Sequence, residues 1–162
     1  FATKARFNLE AVTVKEDLVA FIREYVINVC TGLFTTKDEK SLEFRIKSPP
    51  RFSHVATFKP IEFTMILDNL ISNAVKHGAG AMEMEMVESA TRALTIMVRN
   101  DGDPILKKDA ERIFEMGYST TDGSGLGLTH VRESLTEMGG TIRLNTEYQG
   151  GVEFVIQMEA RE

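Results

Sequence analysis

The chain has 162 residues, of which 43% are apolar and 27% charged, and its 24 acidic residues outnumber its 19 Lys and Arg to give a net charge of −5. A chain of this length fits one domain and buries roughly 70% of the surface that its unfolded form exposes. The scattered basic residues exclude the broad basic surface of a nucleic-acid-binding protein, the short apolar runs exclude a membrane span, and the single cysteine, Cys30, excludes an internal disulfide.

The lone cysteine and the start of the chain predict a cytoplasmic piece of a longer protein. An unpaired cysteine suits the reducing cytosol. The sequence begins at Phe1 with neither an initiator methionine nor a signal-peptide pattern. We therefore expect residues 1–162 to form a single domain without direct membrane contact, excised from a longer chain.

The N-terminal part of the sequence predicts one helix and two strands. Thr13 and Glu16 form a capping box, and apolar residues follow at helical spacing, so we expect a helix over about 14–29. Alternating apolar residues predict a strand over 42–47 and a weaker one near 54–58.

The middle of the sequence predicts a long helix followed by a hairpin. Pro60 suits the first turn of a helix whose apolar residues continue to His77, just before Gly78. The alternation over 81–88 and 94–100 predicts two strands, with the methionines of the first strand filling the core.

The C-terminal part completes the fold. We expect a short helix over 107–114, a helix at about 127–138, and strands over 141–146 and 152–158. Strands joined by hairpins pair antiparallel, and helices with one apolar face must bury that face on a sheet. These elements predict a two-layer α/β (α+β) sandwich, in which a mixed, mostly antiparallel sheet is covered on one face by three helices.

The stretch "DGSGLGL" (122–128) has three glycines at alternate positions. A dinucleotide-binding fingerprint would need a third glycine where Leu128 stands. A protein-kinase loop would need an H-R-D and a D-F-G motif among the 35 residues after Gly127, which contain neither. Two interpretations stay open: a helix N-terminus that accepts an anion, or a tight helix entry without a ligand.

Two further polar patterns stand out. The first is on the central helix, where Asn69, Asn73 and Lys76 share one face. This face is either exposed to solvent or a site where amide oxygens ligate Mg²⁺ and the lysine contacts a phosphate. Asn100 and Asp101 end a hydrophobic strand, where a short polar side chain either forms a turn or reads a base edge.

Four stretches in order, "NLISNAVKHG" (69–78), "NDGDPI" (100–105), "RIFEMGYST" (112–120) and "GSGLGL" (123–128), resemble the N, G1, F and G2 boxes of the Bergerat-type ATPases. That superfamily includes gyrase B, MutL, the ninety-kilodalton heat-shock chaperones and sensor histidine kinases. The resemblance covers about residues 60–158. It implies the Bergerat ATP-binding fold, with ATP and Mg²⁺ as ligands.

The resemblance also assigns roles to individual residues. Asn73 is implied to ligate Mg²⁺, and Lys76 and His77 to approach the phosphates. The residues implied for catalysis are Asn69, Asn73 and Lys76. The nucleotide-binding residues that it implies are Asn73, Lys76, His77, Asn100, Asp101, Gly102, Ile105, Phe114, Tyr118, Ser119, Thr120, Gly123, Ser124, Gly125, Leu126, Gly127 and Leu128.

The sequence departs from the family pattern in the G1 box. The family has an aspartate that takes the adenine amino group, followed by two glycines, whereas here Asn100 stands at the aspartate position and Pro104 replaces the last glycine. Gly102 is retained and lets the backbone pass beneath the base. Adenine is then read by the Asn100 amide oxygen or by Asp101, and both alternatives stay open.

Asn69 separates the branches of the superfamily. Gyrase, MutL and the chaperones carry at this place a glutamate that activates water, and an amide cannot take up that proton. The resemblance is therefore greater to sensor kinases, which transfer the γ-phosphoryl group to a histidine on a separate dimerisation helix. None of His54, His77 and His130 begins an H-[ED]-x-x-[NTP] run, so the acceptor is expected outside this chain.

The partners implied are ATP, a histidine-bearing dimerisation domain and a response regulator, within a homodimeric parent protein. No nucleic-acid partner is expected. Two rival functions are a nucleotide-gated binding module without chemistry and a hydrolytic, dimerising ATPase of the gyrase–MutL type.

Overall fold

A computed structural model of the chain describes residues 12–115 and 127–159. Its centre is a five-stranded sheet with the strand order β2-β4-β5-β7-β6. The strands are β2 Glu43–Lys47, β4 Ala81–Glu88, β5 Leu94–Asn100, β6 Gly140–Leu144 and β7 Val152–Met158. Strand β2 pairs parallel with β4, and the other pairs are antiparallel, which confirms the predicted mixed sheet.

One face of the sheet is buried. Met82, Met84 and Met86 on β4 are at most 2% exposed, because alternate side chains of a strand point to the same face. The residues between them are acidic and only partly covered. The methionines therefore fill the core, as predicted.

The helices cover the buried face. They are α1 Leu18–Glu24, which continues as a π-helix over Tyr25–Cys30, α2 Pro60–Lys76 and α3 Gly127–Glu137. Their buried residues and those of the strands form a single hydrophobic core. The two-layer sandwich predicted from the sequence is therefore confirmed. Within 12–115 and 127–159, no helix combines the length and the apolar character that crossing a membrane would require.

The start of the first helix was predicted wrongly. Val14–Asp17 is a strand, β1, which pairs antiparallel with β3 Val55–Phe58. The helix begins at Leu18, and its cap is Asp17, whose Oδ1 accepts hydrogen bonds from the backbone N–H groups of Val19 and Ala20 at 3.1 and 3.3 Å. Pairing with a distant strand outweighs the local capping box of Thr13 and Glu16, a signal that reports on neighbouring residues only.

Two smaller differences concern short segments. The expected helix over 107–114 is two separate 3₁₀ turns, Lys107–Asp109 and Arg112–Phe114. The strand expected over 141–146 ends at Leu144, because Asn145 starts a turn in which its Oδ1 accepts a hydrogen bond from Glu147 N at 3.1 Å.

Candidate functional site

Three separate parts of the sequence meet beside the C-terminal half of α2. Gly127, the first residue of α3, lies so close to α2 that a Cβ atom there would be 3.3 Å from Asn69 Oδ1. The turn after β5 contacts the end of α2, where Asp103 N donates a hydrogen bond to His77 O at 2.8 Å. The structure thus brings together the N box, the G1 box and the end of the G2 box.

The amide of Asn69 has a fixed orientation. Its Nδ2 donates a hydrogen bond to Met65 O at 2.9 Å, and a carbonyl can only accept. The Oδ1 atom is therefore the one that faces Gly127. Asn69 presents an oxygen acceptor, not a proton-accepting base, to the space between α2 and α3.

Asn73 lies one turn further along α2 and is half-buried. Its Nδ2 is buried and has no acceptor among the residues that the structure describes. An unsatisfied buried donor costs about 1–3 kcal/mol, so this amide is not explained by stability. Lys76 follows, half-buried, in the last turn of α2.

His77 caps the C-terminal end of α2 and is half-buried. Burial lowers the pKa of its imidazole; Asp103 opposes this effect, and Lys76 and Lys37 add to it. The imidazole is therefore neutral at neutral pH.

Two of the predicted apolar site residues, Ile105 and Leu128, pack half-buried against the core.

Asn100 and Asp101 face different parts of the molecule. Asn100 is 4% exposed and continues the buried positions of β5, on the side of α2. Its Oδ1 accepts a hydrogen bond from Gly102 N at 2.9 Å. Asp101 is exposed, and its Oδ1 accepts from Gly80 N and Ala81 N at 2.7 and 3.1 Å.

Two glycines allow close approach at this turn. A Cβ atom on Gly102 would lie 2.8 Å from His77 O. Gly151, with a φ of 137°, packs on the same turn, where a Cβ would contact Asn100 O and lie 3.0 Å from Asp101 Cα. Sequence reasoning placed Gly151 only in a hairpin turn. The glycine pair directly before a strand was the one signal that could have indicated its contact with the site.

Phe114, in the F box, is a core residue. It is 5% exposed, and its ring packs edge-on against Phe154 with centroids 6.2 Å apart. The Arg132 guanidinium lies 3.8 Å from the ring centroid, and Thr129 Oγ1 donates to Phe114 O at 2.7 Å. Arg132 and Thr129 on α3 were missed by sequence reasoning, since no motif marked them. They hold α3 against Phe114.

The rest of the predicted site lies outside the described residues. These predicted positions are Tyr118, Ser119, Thr120, Gly123, Ser124, Gly125 and Leu126. Within 12–115 and 127–159, no group of three or more His, Cys, Asp and Glu side chains could hold a metal ion.

Comparisons with known proteins show what the chain is similar to. Residues 58–162 match the family described as histidine kinase-, DNA gyrase B-, and HSP90-like ATPase. The sensor protein RstB of Escherichia coli K12 is 35% identical over 96 residues, which are 55% of this chain and 22% of RstB. The chain thus spans about a fifth of that relative.

Solved structures of other proteins have the same fold as this chain. The mycobacterial sensor histidine kinase MprB superposes with a TM-score of 0.72 at 18% identity, over 93% of this chain and 99% of the other. Full-length ShkA in complex with AMPPNP superposes with a TM-score of 0.72 at 26% identity, over 90% of this chain and 30% of the other.

Proposed function

Because the chain belongs to the family of histidine kinase-, DNA gyrase B- and HSP90-like ATPases, we propose that it binds Mg·ATP and donates the γ-phosphoryl group to a histidine outside this chain. The observation that carries the proposal is the amide stripe on α2: Asn69 Oδ1 faces the first residue of α3, and the buried Nδ2 of Asn73 has no acceptor among the residues that the structure describes. ShkA, which has the same fold, is named as a complex with the nucleotide AMPPNP.

Magnesium fits this amide pair. Asn69 Oδ1 is fixed toward the site, and Asn73 follows one helical turn later. Rotating the Asn73 amide by 180° exchanges Oδ1 and Nδ2 in the same space. Since no acceptor in the described part of the chain holds Nδ2, this rotation breaks no hydrogen bond of the amide nitrogen. Bound Mg²⁺ would supply charge neutralisation at the phosphate oxygens.

The remaining groups suit a triphosphate and a base. Lys76 is the cation of the stripe and approaches the phosphates, with the neutral His77 beside it. The start of α3 offers backbone N–H groups to the same phosphates. Asn100 lies on the side of α2, whereas the Asp101 carboxylate is directed to the start of β4. The base is therefore proposed to meet Asn100.

The chemistry proposed is phosphoryl transfer, not hydrolysis. The bond between the γ-phosphorus and the bridging oxygen breaks, with its electrons leaving on ADP, and a bond forms to a ring nitrogen of the histidine. Asn69 cannot remove a proton from water. Positioning and charge neutralisation supply the catalysis that this chain contributes.

We propose for the parent protein a cytoplasmic catalytic domain in a homodimer, with a response regulator as the next acceptor. The support is the likeness to RstB, which is named as a sensor protein. These assignments concern the longer protein and rest on family resemblance.

The proposal is tested by mixing the chain with the parent's dimerisation helices and ATP labelled in the γ-phosphate. We expect acid-labile label on the histidine helix, and none when Asn73→Ala replaces the wild-type chain. Nucleotide binding without any transfer would instead support a nucleotide-gated binding module. Steady phosphate release that ignores the added helices would support a hydrolytic ATPase.

A further inference from the structure

A buried polar contact joins α2 and α3 at a distance from the candidate site. Ser134 Oγ donates a hydrogen bond to Glu62 Oε1 at 3.0 Å, since a carboxylate can only accept it. Ser134 is 3% exposed, and the side chain of Glu62 is 12% exposed. The neighbours of Ser134 on the buried face of α3 are the fully buried Val131 and Leu135. The contact is therefore a charge-assisted hydrogen bond that is largely shielded from water.

His130 adds a second contact to the same carboxylate. Its Nε2 lies 3.4 Å from Ser134 Oγ and 3.7 Å from Glu62 Oε2. Because the hydroxyl proton of Ser134 is directed to Glu62, the Ser134 oxygen is left to accept from His130 Nε2. His130 and Ser134 lie one turn apart on α3, on the same face. Glu62 on α2 is thus contacted from two successive turns of α3.

This contact and the candidate site are equally far apart on both helices. Glu62 and Asn69 stand at positions i and i+7 of α2, and Gly127 and Ser134 at positions i and i+7 of α3, which is about 10 Å in each case. Ser134 meets Glu62, and Gly127 lies beside Asn69. The two helices therefore run antiparallel in matching register, and the hydrogen bond sets how far the start of α3 reaches along α2.

Apolar packing does not fix this register by itself. The hydrophobic effect has no direction, so Val131 and Leu135 would bury a similar area after a small slide of α3 along α2. A buried hydrogen bond is directional, and a slide that breaks it leaves buried polar groups without partners. Setting the register of packed helices is the best-attested role of buried polar residues. The Glu62–Ser134 contact is suited to that role.

We propose that Glu62 and Ser134 are positioning residues for nucleotide binding, which hold the start of α3 level with Asn69 so that it meets the phosphates. This inference rests on the proposed function, which assigns the phosphates to the start of α3 and the base to Asn100. Neither positioning residue reaches the site, since each lies about 10 Å from it along its helix. Their effect is therefore confined to the phosphate end: they raise the affinity for a triphosphate and leave the affinity for the base and ribose unchanged.

Ser134→Ala and Glu62→Met each remove one partner of the hydrogen bond with little change in side-chain size. We would measure the dissociation constant of Mg·ATP by titration calorimetry and that of adenosine, which has no phosphates, by NMR titration. Each variant should bind Mg·ATP about fivefold more weakly, a typical effect of a change that acts through a packed element, and adenosine as tightly as the wild type. Glu62→Gln keeps an oxygen acceptor for the Ser134 hydroxyl and should restore Mg·ATP affinity to within about twofold of the wild type.

Thr136→Ala is the matched control. It removes a hydroxyl from the same helix, but that exposed hydroxyl donates to Arg132 O within α3 at 2.9 Å, so both affinities should stay at their wild-type values. The inference is overturned if Ser134→Ala and Glu62→Met, shown to be folded by circular dichroism, bind Mg·ATP as tightly as the wild type. A proportional loss of affinity for Mg·ATP and adenosine also overturns it, because that loss indicates a general loosening of the domain. Binding of neither ligand by the wild-type chain refutes the proposed function, and this inference with it.

Discussion

Asn73 lowers the stability of the protein when no ligand is bound. Its buried Nδ2 lacks a partner in the described part of the chain, and asparagine is a poorer helix former than alanine by up to about 0.7 kcal/mol. Alanine would relieve both costs. A residue that weakens its own helix is expected where a ligand, not the fold, requires the side chain.

We therefore predict that Asn73→Ala lowers the affinity for Mg·ATP by at least about tenfold, while the free energy of unfolding without ligand is unchanged or rises, by up to about 3 kcal/mol. Calorimetric titration and urea unfolding measure the two quantities. Ser72→Ala, an exposed neighbour on α2, is the matched control and should affect neither. An apo protein that unfolds on the Asn73 change would make Asn73 a structural residue.

His77 makes stability depend on pH in a defined direction. Burial lowers the pKa of its imidazole in the folded state below the ordinary value of 6.5. The unfolded chain therefore binds more protons than the folded chain between these two pKa values. By linkage, the contribution of His77 is fully present above pH 6.5 and is lost as the pH falls toward the folded-state pKa.

The corresponding prediction compares urea unfolding midpoints at pH 7.5 and 5.5. His77→Gln, which carries no titratable group, should lose less of its midpoint on acidification than the wild-type chain. His130→Gln is the control, because its ring lies on α3 away from this turn. Equal acid sensitivity of wild type and His77→Gln would contradict the assignment.

At the scale of elements, long regular patterns were predictable and distant pairings were not. The sequence placed the strands 81–88, 94–100 and 152–158 at the bounds that the structure gives and the end of α2 within one residue, because apolar periodicity sets them locally. Strand β1 was missed, since its partner β3 lies about forty residues away and no local signal reports it.

In the candidate site, too, residues marked by a motif were predictable, whereas residues marked only by long-range contacts were not. The resemblance assigned Asn69, Asn100 and Gly127 to one site, and the structure places Gly127 beside Asn69 and Asn100 at the end of β5, on the side of α2. Gly151 and Arg132 were missed because their contacts, a backbone approach and a cation over a ring, depend on how separate elements pack.

Gly151, in the turn between β6 and β7, packs against the turn after β5. This contact gives a prediction for Gly151→Ala. This position combines a φ of 137° with a Cβ that would contact Asn100 O, so we expect a loss of at least about 2 kcal/mol of unfolding free energy. Nucleotide affinity should fall too, because Asn100 must move. Gly32→Ala, at a φ of 82° with open space around its Cβ, is the control for backbone strain alone and should cost about 1 kcal/mol. Equal losses in the two variants would show that the close approach is unimportant.

At the scale of the whole molecule, the family match and the hydrophobic core have different boundaries. The match begins at residue 58, but Leu18, Ile22 and Leu42 are at most 1% exposed and belong to the same core as α2 and β4. Strand β2, also before residue 58, forms the parallel edge of the five-stranded sheet.

We therefore predict that a chain starting at residue 58 does not fold by itself. It would expose the faces of α2 and β4 that α1 and β2 cover, and each fully buried leucine or isoleucine contributes about 1.5–3 kcal/mol, against a total stability of roughly 5–15 kcal/mol for a domain. Near-ultraviolet circular dichroism and thermal unfolding would be compared with a chain starting at Val12. A cooperative transition of the shorter chain at the same midpoint would mean that residues 58–162 form a domain on their own and that α1 with its strands is an accessory layer.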